Sequence, residues 1–186
     1  MRIISGFLKG KKINFLKNSI TRPLKDSVKE NIFNILNHSN LLNIQIEKSL
    51  ILDLYSGVGS FGIECISRGA KKVTFVEKDN DAIKILKKNL NHLSIIDRSC
   101  LINKTIDEVL KNDFKEKFHV FFLDPPFKSM EFVDNLKKIR QKKLFNKNHV
   151  VIIHREKKTS DNLNDIIKTI VSKEYGRSKI IFGFFD

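Results

Sequence analysis

The stretch FFLDPPFKS, residues 121–129, places two of the chain's three prolines side by side, behind an aspartate and ahead of a phenylalanine. The apolar run before Asp124 reads as a buried strand, with Asp124 at its end. Pro125 and Pro126 have fixed φ and no amide proton, so they hold a rigid turn. That leaves the Pro125 carbonyl outside secondary structure, beside the Asp124 carboxylate. Two acceptors held together suit the exocyclic NH2 of a nucleic-acid base. Such an amine is a poor nucleophile because its lone pair is delocalised into the ring. Hydrogen bonds to both of its protons draw it toward tetrahedral geometry and localise the pair for in-line attack on a sulfonium methyl. This is orientation and electrostatic stabilisation, with no covalent intermediate. Phe127 offers a face on which a flipped base stacks, a contact worth roughly 1–3 kcal/mol per base.

A second constellation lies upstream. In DLYSGVGSFGIE, Gly57, Gly59 and Gly62 form a GxGxxG between a strand and a helix. Glycines there let the chain turn sharply and let a ligand pack against the main chain at the open end of the first strand. Glu77, 20 residues beyond Gly57, ends the second strand, where an acid accepts hydrogen bonds from both ribose hydroxyls of an adenosine. The same outline serves NAD. S-adenosylmethionine is favoured by Asp53, four residues before the first glycine, a carboxylate placed to hold a cationic amino-acid moiety. DPPF decides for it.

The elements that must position these residues follow from hydrophobic patterning. Short apolar runs alternate with amphipathic stretches, the signature of α/β units around a parallel sheet. Strands are predicted at 49–56, 72–78, 99–103, 119–124 and 149–156, with helices near 60–69, 79–90, 105–113 and 130–143. TIVSKEYG and RSKIIFGFF, joined by a tight turn, predict an antiparallel hairpin at one sheet edge. The continuous apolar character of the strands implies cover on both faces. Residues 1–45 stand apart as a hairpin-like piece and a helix, starting near Thr21 or Asp26, ahead of a core at 46–186 in one domain. Over residues 1–29 eight basic side chains, among them Lys9, Lys11, Lys12, Arg22 and Lys25, face Asp26 alone, which predicts an RNA-facing surface.

The net charge of +14 favours a polyanionic partner. The same crowding of Lys, Asn, Ile and Phe also arises in AT-rich genomes, so the charge supports a nucleic-acid substrate without proving one. Cys65 and Cys100 read as reduced thiols of a cytoplasmic protein. His38, His92, His119, His149 and His154 are scattered and read as surface or satisfied side chains, with no metal site. No apolar run approaches the roughly 20 residues of a membrane helix. LKKIRQKKLFNK after DPPF reads as a basic amphipathic helix with a solvated face.

Taken in order, RIISG, TRP…VKENIFNIL, LDLYSGVGSFGIECISRGA, FVEKD and FFLDPPF resemble the bacterial 16S rRNA guanine-N2 methyltransferases of the RsmD type over nearly the whole chain. The resemblance implies a Rossmann-like class I methyltransferase, with a seven-stranded mostly parallel sheet and helices on both faces. It also implies S-adenosylmethionine as cofactor and 16S rRNA, in the small subunit or its assembly intermediate, as partner; the size of the chain predicts a monomer. Asp124, Pro125, Pro126 and Phe127 become the catalytic motif. Asp53, Tyr55, Gly57, Gly59, Glu77, Lys78, Thr105 and Asp124 become the cofactor set. Two positions depart from the pattern. Leu24 follows TRP where Thr is common, and Thr105 stands where an Asp or Asn often faces the adenine. Arg22 is open between the cofactor carboxylate, the RNA and an ion pair with Glu30. DPPF alone also admits an adenine-N6 methyltransferase, and the fold a non-catalytic RNA-binding assembly factor.

Overall fold

Strands too apolar for a half-solvated sheet need cover on both faces. In the computed structural model, which describes residues 1–16, 24–112 and 114–186, they have it. Five strands run parallel: β1 (Leu50–Leu54), β2 (Lys72–Val76), β3 (Ser99–Ile102), β4 (Phe118–Leu123) and β5 (Phe145–Glu156). β6 (Lys168–Tyr175) and β7 (Ser178–Phe184) form the expected antiparallel hairpin, turning at Gly176 with φ +58°. The order β3-β2-β1-β4-β5-β7-β6 puts the reversal of strand order between β1 and β4. Clefts in such sheets open at that point, beyond the carboxyl ends of the strands.

Strand parity sorts the side chains into two cores. Ile51, Val120, Phe122, Ile152, Ile180 and Phe182 pack on one face. They meet α1 (Asp26–His38), α2 (Ser60–Ser67) and α3 (Asn80–His92) through Phe33, Phe61, Leu86 and Leu90. Leu52, Phe121, Leu123, Ile153 and Ile181 pack on the other, against α4 (Ile106–Lys111) and α5 (Glu131–Gln141) through Ile106, Val109, Phe132 and Leu136. Among the described residues no helix is long and apolar enough to cross a membrane.

One boundary differs from expectation. The basic stretch after DPPF is not a single helix: α5 ends at Gln141, Lys143 takes φ +50°, and Phe145 already pairs with Phe118. The ladder absorbs the extra residues in an irregularity between Phe118 and Val120, so β5 begins earlier than its apolar centre indicates.

The N-terminal piece is hairpin-like, with Arg2 bridged to Lys12 and the Ile3 amide donating to the Lys11 carbonyl at 2.9 Å. It docks on α2 through the fully buried Glu64. That carboxylate accepts the amides of Ile4 (2.8 Å) and Ser5 (3.0 Å) and the Arg68 Nε (2.9 Å). Lys29 Nζ, equally buried on α1, lies 3.5 Å from the same carboxylate and donates to the Arg2 carbonyl at 2.9 Å. Burial pushes the Lys29 ammonium down from its usual range, while Glu64 and Asp26 hold it up. Glu64→Ala would strand the buried Lys29 charge, and breaking such a pair from one side costs about 3–5 kcal/mol. Chemical denaturation should read that loss. Wild-type stability in the variant would refute the coupling.

Candidate active site

The glycine loop turns because its backbone alternates into the left-handed region, at Tyr55 (φ +60°), Gly57 (φ +53°) and Gly59 (φ +85°). A Cβ on Gly62 would stand 2.3 Å from Phe75 Cε1, so the third glycine serves the close approach of α2 to β2. Beneath the loop, Asp53 Oδ2 accepts the Gly62 amide at 3.0 Å. Asp53 Oδ1 and the neighbouring Ser56 Oγ are buried with no hydrogen-bond partner among the described residues. Only 1% exposed, Asp53 acts as the foundation of the loop and does not line the cavity, where the sequence had placed it. The reason is parity: Asp53 shares the inner face with Ile51, under α2.

The cavity, about 1130 Å³, opens at the carboxyl ends of β1, β2 and β4. Tyr55, Gly57, Glu77, Lys78, Thr105 and all four DPPF residues line it; Gly59 does not. Glu77 is oriented by two amides, Gly57 to Oε2 at 2.8 Å and Asp79 to Oε1 at 2.9 Å. Each of these oxygens keeps a further lone pair for a ligand hydroxyl. Asn103 braces this turn, donating to the Glu77 carbonyl at 3.1 Å and the Lys78 carbonyl at 3.2 Å. The Thr105 hydroxyl is committed to a capping box with Glu108 at the start of α4, so little of its side chain is left to read a base. The Tyr55 hydroxyl accepts from Asn135 Nδ2 at 3.0 Å, and its pKa is raised to about 12, chiefly by burial.

The DPPF turn is held from β5. Arg155, fully buried, donates to the carbonyls of Pro126 (3.2 Å) and Phe127 (3.0 Å) and is paired with Asp161 at 3.0 Å. Its guanidinium also lies over the Phe132 ring at 4.5 Å. The Pro125 carbonyl and Asp124 Oδ2 accept no bond from a described residue. Asp124 Oδ1 is met at 2.9 Å by Nδ1 of His154, whose Nε2 lies 2.9 Å from Ser178 Oγ. The Phe127 ring stands edge-on to the His154 ring, 5.7 Å between centroids.

Lys9, Lys11, Lys12 and Lys25 are exposed and outside the cavity wall, whereas Arg22 and Thr21 lie outside the described residues. Phe15, Leu16 and Leu24 from the N-terminal segment do reach the cavity. Sequence reasoning missed His154 and Arg155. The available signal was that IIHR ends an apolar strand as FFLD does, so adjacent parallel strands bring their first polar residues level. Among the described residues no cluster of His, Cys, Asp or Glu could hold a metal ion. Cys65 and Cys100 are free thiols.

Burial, then repulsion from Asp124 and Glu77, raises the Asp53 pKa well above the ordinary carboxylate value, against the Gly62 hydrogen bond. A raised folded-state value favours folding while the carboxyl is protonated and loses that contribution as pH rises through it. Asp53→Asn should therefore gain stability over wild type increasingly as pH rises above the ordinary carboxylate range. Ligand-free denaturation across pH measures the difference, and a difference independent of pH would refute the assignment.

Comparison with known proteins adds to this geometry. Residues 1–183 match the family model described as conserved hypothetical protein 95. The ribosomal RNA small subunit methyltransferase D of Buchnera aphidicola subsp. Baizongia pistaciae is 30% identical over 185 residues, 100% of this chain and 91% of that protein. The Haemophilus influenzae protein of the same name is 41% identical over 129 residues, 68% of this chain and 64% of its own. A solved Haemophilus influenzae structure, classed as a methylase, covers 100% of this chain and 98% of its own with TM-score 0.78 at 29% identity. One from Escherichia coli reaches TM-score 0.85 at 22% identity, covering 100% of this chain and 98% of its own, a likeness of fold. The chain therefore has the Rossmann-like methyltransferase fold and belongs to the conserved hypothetical protein 95 family, of the RsmD type that its motifs resemble.

Proposed function

We propose that the protein transfers a methyl group from S-adenosylmethionine to the exocyclic N2 amine of a guanine in small-subunit (16S) rRNA. The observation that carries this reading is that Asp124 and Pro125 both line the cavity, with Asp124 Oδ2 and the Pro125 carbonyl accepting no bond from a described residue. An amine with two protons answers both. Phe127, braced by His154 and Arg155, supplies the ring against which the flipped base rests.

The cavity fits the cofactor on its own chemistry. Glu77 and Asp124 both line the cavity, and two carboxylates on its wall suit a ligand carrying positive charge. An anionic dinucleotide pyrophosphate would meet repulsion there, which weighs against NAD. The open side of Gly57 accepts close approach, and Glu77 stands ready for ribose hydroxyls. When bound, the cofactor supplies a methyl on a sulfonium. Asp124 and the Pro125 carbonyl would hold the amine toward that methyl. Transfer would exchange an S–C bond for an N–C bond with the electron pair left on sulfur, and Asp124 would take the surplus amine proton and pass it to water. The exposed lysines of the N-terminal piece, Lys9, Lys11, Lys12 and Lys25, would contact rRNA phosphates.

Purified protein with labelled cofactor should methylate small subunits or 16S rRNA from a strain lacking the enzyme and yield N2-methylguanosine on nucleoside analysis. N6-methyladenosine would replace guanine with adenine as the target, and no transfer would sink the reading. Asp124→Ala should lower kcat by roughly 10²–10³-fold, with cofactor binding by calorimetry largely retained.

A further inference from the structure

Strand register, not loop geometry, brings His154 to Asp124. β4 and β5 pair in parallel with Leu123 opposite Ile153, so the next residues, Asp124 and His154, leave the ladder side by side. On the other side His154 pairs with Ile180 across the antiparallel ladder, which makes Ser178 its diagonal neighbour on the same face. The contacts follow: Nδ1 to Asp124 Oδ1 and Nε2 to Ser178 Oγ, each at 2.9 Å, with the His154 side chain only 8% exposed.

We propose that His154 is the positioning residue of Asp124, donating from Nδ1–H to Oδ1, with Ser178 holding the ring at Nε2, so that Oδ2 alone is presented to the substrate amine. The inference rests on the amine-transfer reading of Asp124. An ionised carboxylate can only accept, so the facing ring nitrogen carries the proton. A neutral ring then has a lone pair at Nε2, which the Ser178 hydroxyl meets as donor. The consequence is geometric. A carboxylate free to rotate about its terminal bond offers either oxygen in many orientations. With Oδ1 tied to a buried ring, the plane of the group is fixed and one oxygen faces the cavity beside the Pro125 carbonyl. The same ring meets the edge of Phe127, so one side chain sets both the acceptor and the stacking surface. Misplacement of either by about 1 Å is the kind of error that costs roughly 100-fold in rate.

The test has two independent readouts. Nitrogen NMR of histidine-labelled, ligand-free protein should show His154 as the Nδ1–H tautomer, and that signature should be lost in Asp124→Ala and weakened in Ser178→Ala. An Nε2–H ring in the wild type overturns the proposal, whether or not any methyl transfer is detected, so failure here is distinct from failure of the proposed function. In transfer assays His154→Ala should lower kcat roughly 10- to 100-fold, with KM for the RNA and cofactor affinity little changed. His154→Asn, whose amide can donate from near the Nδ1 position, should recover most of that loss. Unchanged kcat in His154→Ala, or an equal loss in both variants, refutes the positioning role. If His154→Ala does not fold, Ser178→Ala supplies the kinetic arm, with a smaller drop in kcat expected and wild-type kcat counting against the role.

Discussion

Glu64 sits near the middle of α2 with no solvent exposure and is surrounded by donors: two backbone amides from the N-terminal hairpin, the Arg68 guanidinium and the Lys29 ammonium. A carboxylate at that depth persists only when its lone pairs are met, because desolvation alone would drive it out or neutralise it. The constraint reaches the site directly, since α2 is the helix that the glycine loop opens. Its amino end starts at Ser60, where Lys29 Nζ also approaches the hydroxyl at 3.5 Å. The N-terminal piece is thus pinned to the back of the helix whose front holds the loop, and its further residues, Phe15 and Leu16, reach the cavity wall from that anchor.

A recurrent device in the molecule is a carboxylate at a strand end, each one oriented by a different kind of donor. Asp53 is held by a helix amide, Glu77 by two loop amides, and Asp124 by an imidazole. Amide donors are fixed by the backbone and hold their acids rigidly. An imidazole is fixed only as well as its own second contact, which is why Ser178 on the hairpin strand bears on a residue two strands away. The antiparallel hairpin therefore does more than close the sheet. It supplies the group that holds the ring that holds the acid.

Much of this was legible in the sequence. The order of strands and helices, the glycine loop, the edge hairpin and the DPPF turn follow from periodicity and from the special backbones of Gly and Pro. What was not legible came from long-range pairing. Asp53 was placed at the cavity by its spacing from Gly57, but parity points it under α2. The start of β5 was hidden because the polar and basic Asn146, Lys147 and Asn148 separate Phe145, which pairs with β4, from the apolar centre of the strand. His154 carried only the signal that IIHR ends an apolar run as FFLD does, and its meaning depends on which strand lies beside β5.

These failures share a cause that bears on how the site works. Local sequence specifies turns and caps, where the partner of each group lies within a few residues. The site depends instead on which residues of different strands end level with one another, a property of register that one residue of slip would destroy by turning every side chain to the other face. Register here is fixed by the two apolar cores, with Phe122 and Ile152 on one face and Phe121 and Ile153 on the other. The positions of Asp124 and His154 are therefore set by the packing of the residues beneath them. A core substitution in β4 or β5, well below the cavity, acts on the carboxylate through the same ladder that holds it.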